Sequence, residues 1–173
     1  MLSVELLPDE ATERAVREVW ARLRRAGLVS LAAHRHPTNR PHLTLAAAAE
    51  PAPGARAGLA EALRVLPVPL VLDGTVRFGG RANVLAWAVR RDEPLLRLQG
   101  AVWRALRDAS GCAPPNPLHD PVRWCPHLTL GRGRGAVWPL TDGELFGAAG
   151  GVFAGRWVAA RTYDSVTRTT AAV

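Results

Sequence analysis

The sequence predicts an α+β fold built from two similar lobes that share one body. Several segments show the alternating pattern or the short apolar runs that are typical of strands. They are mixed with two segments whose apolar residues recur at helical spacing. Each half then runs in the same order: a long helix, a loop, a strand containing Pro-His-Leu-Thr-Leu, a short helix and a strand. Because no change of composition marks a linker, we expect a single domain over residues 1–173.

Five elements are expected in the first half, each from its local pattern. They are a strand over 3–8, a helix over 9–26, strands over 28–33 and 41–48, and a short helix near 55–66. Asp9 is a suitable N-cap for the long helix, and Gly27 follows its last turn. The apolar stripe of this helix is Val16, Val19, Trp20 and Leu23.

The second half repeats this outline after two further strands. The expected elements are strands over 68–78 and 82–89 around a Gly-Gly-Arg turn, a long helix, a strand over 126–132, a short helix over 141–149 and a strand region over 151–166. Asp92, Glu93 and Pro94 form a typical helix start. The stripe of this helix is Leu95, Leu98, Val102 and Leu106.

The net charge of the chain is +7, and all 22 basic residues are arginines. Two explanations are open. GC-rich codon usage raises Arg, Ala, Gly and Pro together, whereas a basic surface attracts phosphate-bearing partners. The composition therefore permits a nucleic acid partner without establishing one.

The remaining bulk features favour a cytoplasmic protein with no membrane segment. No window approaches the roughly 18 uninterrupted apolar residues of a membrane helix. The acidic start, MLSVELLPDE, does not resemble a signal peptide. Cys112 and Cys125 are too few for a disulfide framework, so we expect two reduced thiols. Nothing in the sequence indicates an obligate protein partner.

The pentapeptide Pro-His-Leu-Thr-Leu occurs twice, and its histidines, His42 and His127, stand 85 positions apart. Side chains alternate in a strand, so each histidine shares a face with the following threonine, Thr44 or Thr129. If a pseudo-twofold axis relates the halves, the two polar faces meet across a cleft. Opposed imidazoles suit in-line cleavage of a phosphodiester, one as base and one as acid, while the hydroxyls hold phosphate oxygens. Duplication without function could also preserve the repeat, so both interpretations stay open here.

The two His-x-Thr-x motifs, one in each half, resemble those of the two-histidine (2H) phosphoesterase superfamily. It includes the bacterial proteins called 2′-5′ RNA ligases or RNA 2′,3′-cyclic phosphodiesterases. The resemblance implies a bilobal pseudo-twofold fold, with antiparallel sheets lining a central groove and helices outside. It also implies chemistry without a metal or other cofactor, catalytic roles for His42 and His127, and phosphate binding by Thr44 and Thr129. The segment after the first motif, AAAAEPAPG, departs from the aromatic and basic segment of the bacterial branch and indicates a divergent member.

Arginines and an aromatic residue around the second motif, which spans 123–132, are further candidates. Arg123 precedes it and Arg132 follows it, and either guanidinium could bind phosphate. Strict alternation turns Arg132 away from the cleft, which favours Arg123. Trp124 is a candidate for stacking on a base. Tyr163 could reach the groove, although packing in the last strand is the simpler expectation.

The other histidines have simpler interpretations. His34 and His36, just before the first motif at 39–49, could flank the groove, but a solvated loop is the favoured expectation. His119 is expected to bond Asp120 in a loop. A zinc site made of the three histidines would need a further ligand that the sequence does not show.

The function expected from these residues is a phosphoesterase acting on a 2′,3′-cyclic phosphate or a 2′-5′ linkage in RNA or a nucleotide. Its alternative is a non-catalytic RNA- or nucleotide-binding module with the same groove. A metal hydrolase that uses the additional histidines is the third possibility. The sequence leaves open which histidine is the base, and whether hydrolysis or ligation matters more.

Overall fold

The structure, a computed structural model, describes residues 1–49, 54–109, 114–147 and 150–173. Within these ranges the strands are β1 (Leu2–Pro8), β2 (Leu43–Ala48), β3 (Val68–Phe78), β4 (Asn83–Val89), β5 (His127–Gly133), β6 (Val152–Asp164) and β7 (Thr169–Ala172). The α-helices are α1 (Glu10–Arg25), α2 (Ala55–Leu63), α3 (Glu93–Asp108) and α4 (Asp142–Phe146). The predicted α+β class is confirmed.

The strands form one antiparallel sheet whose order reflects the duplication. Six of them follow each other as β2-β1-β6-β3-β4-β5, and β7 pairs with β6. Replacing β1, β2 and β3 by β4, β5 and β6 respectively, and the reverse, gives the same strand order read from the opposite end of the sheet. The order therefore has the pseudo-twofold relation expected from the sequence, and the strands that carry the two repeats, β2 and β5, lie at its two ends.

Each half gives its last strand to the other half. β3 belongs to the first half and pairs with β4, and β6 belongs to the second half and pairs with β1. β3 and β6 also pair with each other, so the strands form one sheet rather than the separate antiparallel sheets that the resemblance implies. The 13-residue β6 spans both, because its start pairs with β3 and its end with β1 and β7.

The two long helices are capped and oriented as the sequence predicts. The Asp9 carboxylate accepts a hydrogen bond from the Thr12 amide at 2.8 Å, and Asp92 accepts one from the Leu95 amide at 3.0 Å. Both predicted apolar stripes are buried. Each helix contacts the repeat strand of the opposite half, α1 against β5 and α3 against β2. The repeat strands are thus held by elements from both halves.

Three sequence predictions differ from the structure. Residues 28–33 do not form a strand: Leu31–Ala33 is a short 3₁₀ turn, because the buried Ser30 hydroxyl donates to the Trp20 carbonyl and caps Ala32. The short helix near 55–66 ends at Leu63. The final strand region over 151–166 is β6, but the sequence did not predict β7, which follows it and pairs with it. The end of the helix expected over 141–149 and Cys112 lie outside the described residues.

Candidate active site

The two repeats occupy matching positions at the two ends of the sheet. His42 immediately precedes β2 and His127 is the first residue of β5, and both side chains are half-buried. The leucines of each repeat are buried in the core, whereas Thr44 and Thr129 are half-buried like the histidines. The alternation predicted from the sequence is therefore present in both strands.

A backbone carbonyl fixes the tautomer of each repeat histidine. Nδ1 of His42 lies 2.7 Å from the Arg40 carbonyl oxygen, and Nδ1 of His127 lies 2.8 Å from that of Cys125. A carbonyl oxygen only accepts hydrogen bonds, so Nδ1 carries the proton and donates. In each case a proline lies between the two residues and holds the accepting residue extended. The neutral rings therefore present an unprotonated Nε2, which can take or return a proton.

Two buried indoles fix the strands at the threonines. The indole N–H of Trp124 donates to the Thr44 carbonyl, and that of Trp20 donates to the Thr129 carbonyl, each at 3.0 Å. Both threonines lie in end strands, where carbonyl groups on the outer edge need partners other than a further strand. Trp124 is only 2% exposed, so the expectation that its ring stacks on a base is wrong; the ring belongs to the core.

A β-bulge follows the threonine in both strands. The pairing with the neighbouring strand shifts between Thr44 and Ala46 in β2, and between Thr129 and Gly131 in β5. A bulge inserts one residue and so reverses the alternation beyond it. Arg132 consequently returns to the face of His127 and Thr129, although strict alternation had directed it away.

A cavity of about 570 Å³ opens at this face. The described residues that line it are Glu5, Leu31, His34, His36, Thr38, Asn39, His42, Thr129, Arg132, Arg161, Tyr163, Ser165 and Arg168. Of the predicted site residues, His42 and Thr129 line this cavity, whereas His127, Thr44 and Trp124 are not among its lining residues. The further candidates that line it are Arg132, Tyr163, His34 and His36. Arg123 is exposed and lies outside this set. Its backbone N–H closes a turn on the Asp120 carbonyl, which places it before the strand begins.

A buried ion pair lies beside the first repeat. Glu5 is 3% exposed, and its carboxylate accepts a hydrogen bond from Arg161 Nε at 2.8 Å and one from the Ser3 hydroxyl at 2.8 Å. The same carboxylate is 3.6 Å from Nε2 of His42. A positive charge on His42 would therefore face a carboxylate. Sequence analysis did not select Glu5 or Arg161; the available signal was one acidic residue inside the apolar strand SVELLP.

The second repeat has apolar neighbours at the equivalent positions. Across the strands, Thr44 pairs with Glu5 and Glu5 with Arg161. In the other half, Thr129 pairs with Ala86 and Ala86 with Val76. The pseudo-twofold relation thus places an ion pair on one side and two apolar residues on the other.

The environment of His127 disfavours its charged form. Its ring packs against Phe78, with the ring centroids 4.7 Å apart and the planes tilted by 50°. Burial lowers the pKa of His127, a positive charge on His42 lowers it further, and the Cys125 carbonyl acts in the opposite direction. The surroundings of His127 therefore favour its neutral ring.

His119 and the other histidines do not behave as one metal centre. Burial, together with the charge of His127, lowers the pKa of His119, and its Nδ1 is buried without a hydrogen-bond partner among the described residues, so the expected bond to Asp120 is absent. In the part of the chain that the structure describes, no group of three or more His, Cys, Asp or Glu could hold a metal ion.

Among the helices of the described ranges, none combines the length and the apolar character needed to cross a bilayer.

Comparisons with known proteins agree with this arrangement. The family model of the 2'-5' RNA ligase superfamily matches residues 8–140, a range that contains both repeats. No curated protein matches the sequence significantly.

Three solved structures are similar over 99% of this chain, all at low sequence identity. TT0787 of Thermus thermophilus has a TM-score of 0.61, 20% identity and 94% of its own chain covered. Usb1 of Kluyveromyces marxianus has a TM-score of 0.56 and 14% identity, with 97% of its chain covered. LigT of E. coli has a TM-score of 0.55 and 19% identity, with 92% of its chain covered. At these identities the similarity establishes the fold.

Proposed function

The chain belongs to the 2'-5' RNA ligase superfamily, and from that premise we propose that it is a phosphoesterase that opens 2′,3′-cyclic phosphates on RNA ends or nucleotides. The chemistry uses two histidines and no metal ion. One observation carries the proposal: each repeat histidine donates its Nδ1 proton to a carbonyl and leaves Nε2 available for proton transfer.

The different surroundings of the two histidines support separate roles. The apolar site of His127 favours the neutral ring, which is the form a general base needs. Nε2 of His42 lies 3.6 Å from the Glu5 carboxylate, and the remaining role, that of the general acid, falls to this ring. We therefore assign the base to His127 and the acid to His42.

The reaction then balances without another reactant. His127 takes a proton from water while the water oxygen forms a bond to phosphorus. The bond from phosphorus to one ribose oxygen breaks, and His42 gives its proton to that oxygen. Thr44 and Thr129 hold the non-bridging oxygens between the rings. With the 5′ hydroxyl of a second RNA end in place of water, the same steps join RNA ends: the bond from phosphorus to the 3′ oxygen breaks as the 2′-5′ linkage forms.

Charge and neighbouring folds support a nucleotide or RNA as the substrate. The chain has a net charge of +7, and the cavity is lined by three arginines and one carboxylate. Structures of the same fold include Usb1 with uridine monophosphate and LigT with NADP+. The substrate of this protein is accordingly proposed to carry a phosphate on a nucleoside.

The test is hydrolysis of nucleoside 2′,3′-cyclic phosphates and of a short RNA ending in a cyclic phosphate, in the presence of EDTA. We expect His42→Ala and His127→Ala each to lower kcat/KM by about 100-fold or more. Because the two side chains act as a unit, the double variant should be about as slow as the slower single variant. Thermal unfolding of each variant checks that it is folded.

Two results would contradict the proposal. Turnover that EDTA abolishes would indicate a metal hydrolase. Tight binding of RNA by the wild type without any product would indicate the non-catalytic binding module instead.

A further inference from the structure

A glutamine is buried in the otherwise apolar inner face of α3. Gln99 is 0% exposed, and the other buried side chains of this helix are apolar. It is the seventh residue after the capping Asp92, and the seventh residue after the capping Asp9 of α1 is the buried Val16. Burying an amide costs free energy unless hydrogen bonds compensate for its lost hydration. The second half thus has a polar group where the first half has an apolar one, and its contacts indicate why.

The amide of Gln99 joins the strand of the first repeat to the segment that precedes the second repeat. Its Nε2 donates to the Leu45 carbonyl at 3.2 Å and to the His119 carbonyl at 2.7 Å. Leu45 is the residue that the bulge inserts in β2, so the pairing with β1 skips it. Oε1 of Gln99 is buried without a hydrogen-bond partner among the described residues, which costs stability. The side chain therefore acts through its donor, and stability alone does not explain its presence.

Two further hydrogen bonds fasten the lead-in segment, residues 116–125, to the same strand. The backbone N–H of Asn116 donates to the Ala47 carbonyl at 2.7 Å, and the indole N–H of Trp124 donates to the Thr44 carbonyl at 3.0 Å. The contact made by Gln99 lies between these two, both along the segment and along β2. The lead-in segment is thus held at three points along the outer edge of the first repeat strand.

The lead-in segment ends at the group that orients the second histidine. The Cys125 carbonyl accepts the Nδ1 proton of His127, and the backbone N–H of Trp124 donates to the Asp120 carbonyl at 2.8 Å. Asp120 directly follows His119, the residue that Gln99 holds. A displacement of the segment at His119 is therefore transmitted through one turn to the carbonyl that fixes His127.

We propose that Gln99 is a positioning residue for the reaction: by holding the lead-in segment against the bulge of β2, it sets the place of His127 relative to the first repeat. The inference rests on the proposed function, because it takes the two histidines as one catalytic unit. Gln99 is not among the residues that line the cavity, so its action is indirect. Loss of its donor should misplace the base while every group that binds phosphate is retained.

The experiment compares Gln99→Met with Leu106→Ala on a nucleoside 2′,3′-cyclic phosphate. Methionine has a similar length and no donor, so we expect kcat to fall by about 10- to 100-fold, as misplacement of a catalytic group does. KM should change by less than about threefold, because binding of the ground state is retained. Leu106 is equally buried in α3, and its truncation loosens the same helix without touching the hydrogen bonds of Gln99. In this control both kcat and KM should stay within about twofold of the wild type.

A second readout does not depend on turnover. In nuclear magnetic resonance, the chemical shifts of the ring nitrogens report which nitrogen of a neutral histidine carries the proton. In the wild type, His42 and His127 should both be protonated on Nδ1. In Gln99→Met, His127 should shift toward the tautomer protonated on Nε2, because its carbonyl acceptor has moved, whereas His42 should keep its tautomer.

An unchanged kcat together with an unchanged tautomer of His127 in Gln99→Met would overturn the inference. So would an equal loss of kcat in Gln99→Met and Leu106→Ala, because the effect would then be one of stability alone. Failure of the proposed function looks different: the wild type itself would not hydrolyse cyclic phosphates. The tautomer of His127 in Gln99→Met would then decide the inference by itself.

Discussion

At the scale of single residues, proline makes the two imidazoles equivalent and their neighbours make them different. The proline before each histidine keeps the preceding residue extended, so that a carbonyl receives the Nδ1 proton in both repeats. The neighbours then diverge, with the Glu5 carboxylate beside His42 and the Phe78 ring beside His127. A tautomer common to both rings and different neighbours for each suit an acid and a base at one phosphate.

The pH dependence of kcat/KM follows from the lowered pKa of His127. Burial disfavours its imidazolium, so the neutral form that serves as the base persists below the ordinary histidine pKa of about 6.5. We expect a bell-shaped profile whose acidic limb has its midpoint below about 6.5. Because the rings interact, the two midpoints belong to the pair. Steady-state rates from pH 4.5 to 9 measure them, and an acidic limb centred above 6.5 would contradict this assignment.

The lowered pKa values of two buried histidines also make the stability of the fold depend on pH. His119 and His127 both have a lowered pKa in the folded state, so the unfolded chain binds more protons as the pH falls through about 6.5. The stability that both groups contribute is complete above that pH and decreases below it.

The sequence predicted the directions of side chains only where the strands are regular. Alternation correctly placed His42 and His127 with their threonines, because two residues of strand separate each pair. It failed for Arg132, since a bulge cannot be recognised from apolar spacing. It also failed for Trp124, because its position next to a repeat indicated exposure whereas its indole satisfies an edge carbonyl in the core.

At the scale of elements, β5 lies against its neighbours at Gly131 with no room for a side chain. A Cβ atom there would meet the Val29 carbonyl oxygen and the Trp138 ring, which are already joined by a 2.8 Å hydrogen bond from the indole N–H. We expect Gly131→Ala to lower the free energy of unfolding by about 1–3 kcal/mol, as overpacking does. Denaturant unfolding measures the change.

Gly143→Ala in α4 is the matched control for this substitution. Its Cβ would come no closer than 4.0 Å to the Thr141 hydroxyl, so the free energy of unfolding should stay the same or rise by up to about 1 kcal/mol. If Gly131→Ala proved as stable as the wild type, β5 would not be constrained in the way the structure indicates.

The helices were predictable because their caps and stripes are local signals. Asp9 and Asp92 each start a helix whose apolar residues recur at helical spacing, and both helices lie where expected. The segment over 28–33 has the composition of a strand, but its Ser30 hydroxyl bonds to the backbone of α1 and the segment turns instead. The β6–β7 hairpin has an arginine where a turn signal would be a glycine, and so it was not recognised.

At the scale of the whole molecule, the exchanged strands make the two halves dependent on each other. Neither half contains the partner of its own last strand, because β3 pairs with β4 and β6 pairs with β1. The apolar residues of both halves also form one buried cluster. That residues 1–173 form a single domain stays a prediction, and the strand pairing gives it a physical basis.

We therefore expect unfolding in a single cooperative transition. Leu6→Ala in the first half and Leu128→Ala in the second, both fully buried, should each remove about 2–5 kcal/mol and shift that same transition. The unfolding transitions followed by tryptophan fluorescence and by far-ultraviolet circular dichroism should coincide in each variant. Two separate transitions, one sensitive to each substitution, would show that the halves are independent.

The palindromic order of the sheet has a consequence for how an asymmetric catalyst can arise. Two separate copies of a β-α-β-α-β unit, exchanging their last strands, would form the same sheet as a symmetric dimer. In such a dimer every residue has an identical counterpart, so neither histidine could be permanently the donor of a proton and the other its acceptor. Joining the copies in one chain removes this restriction. Glu5 and Ala86 occupy corresponding positions in the two halves. Two identical chains could not differ at this position, whereas a single chain that contains both copies can.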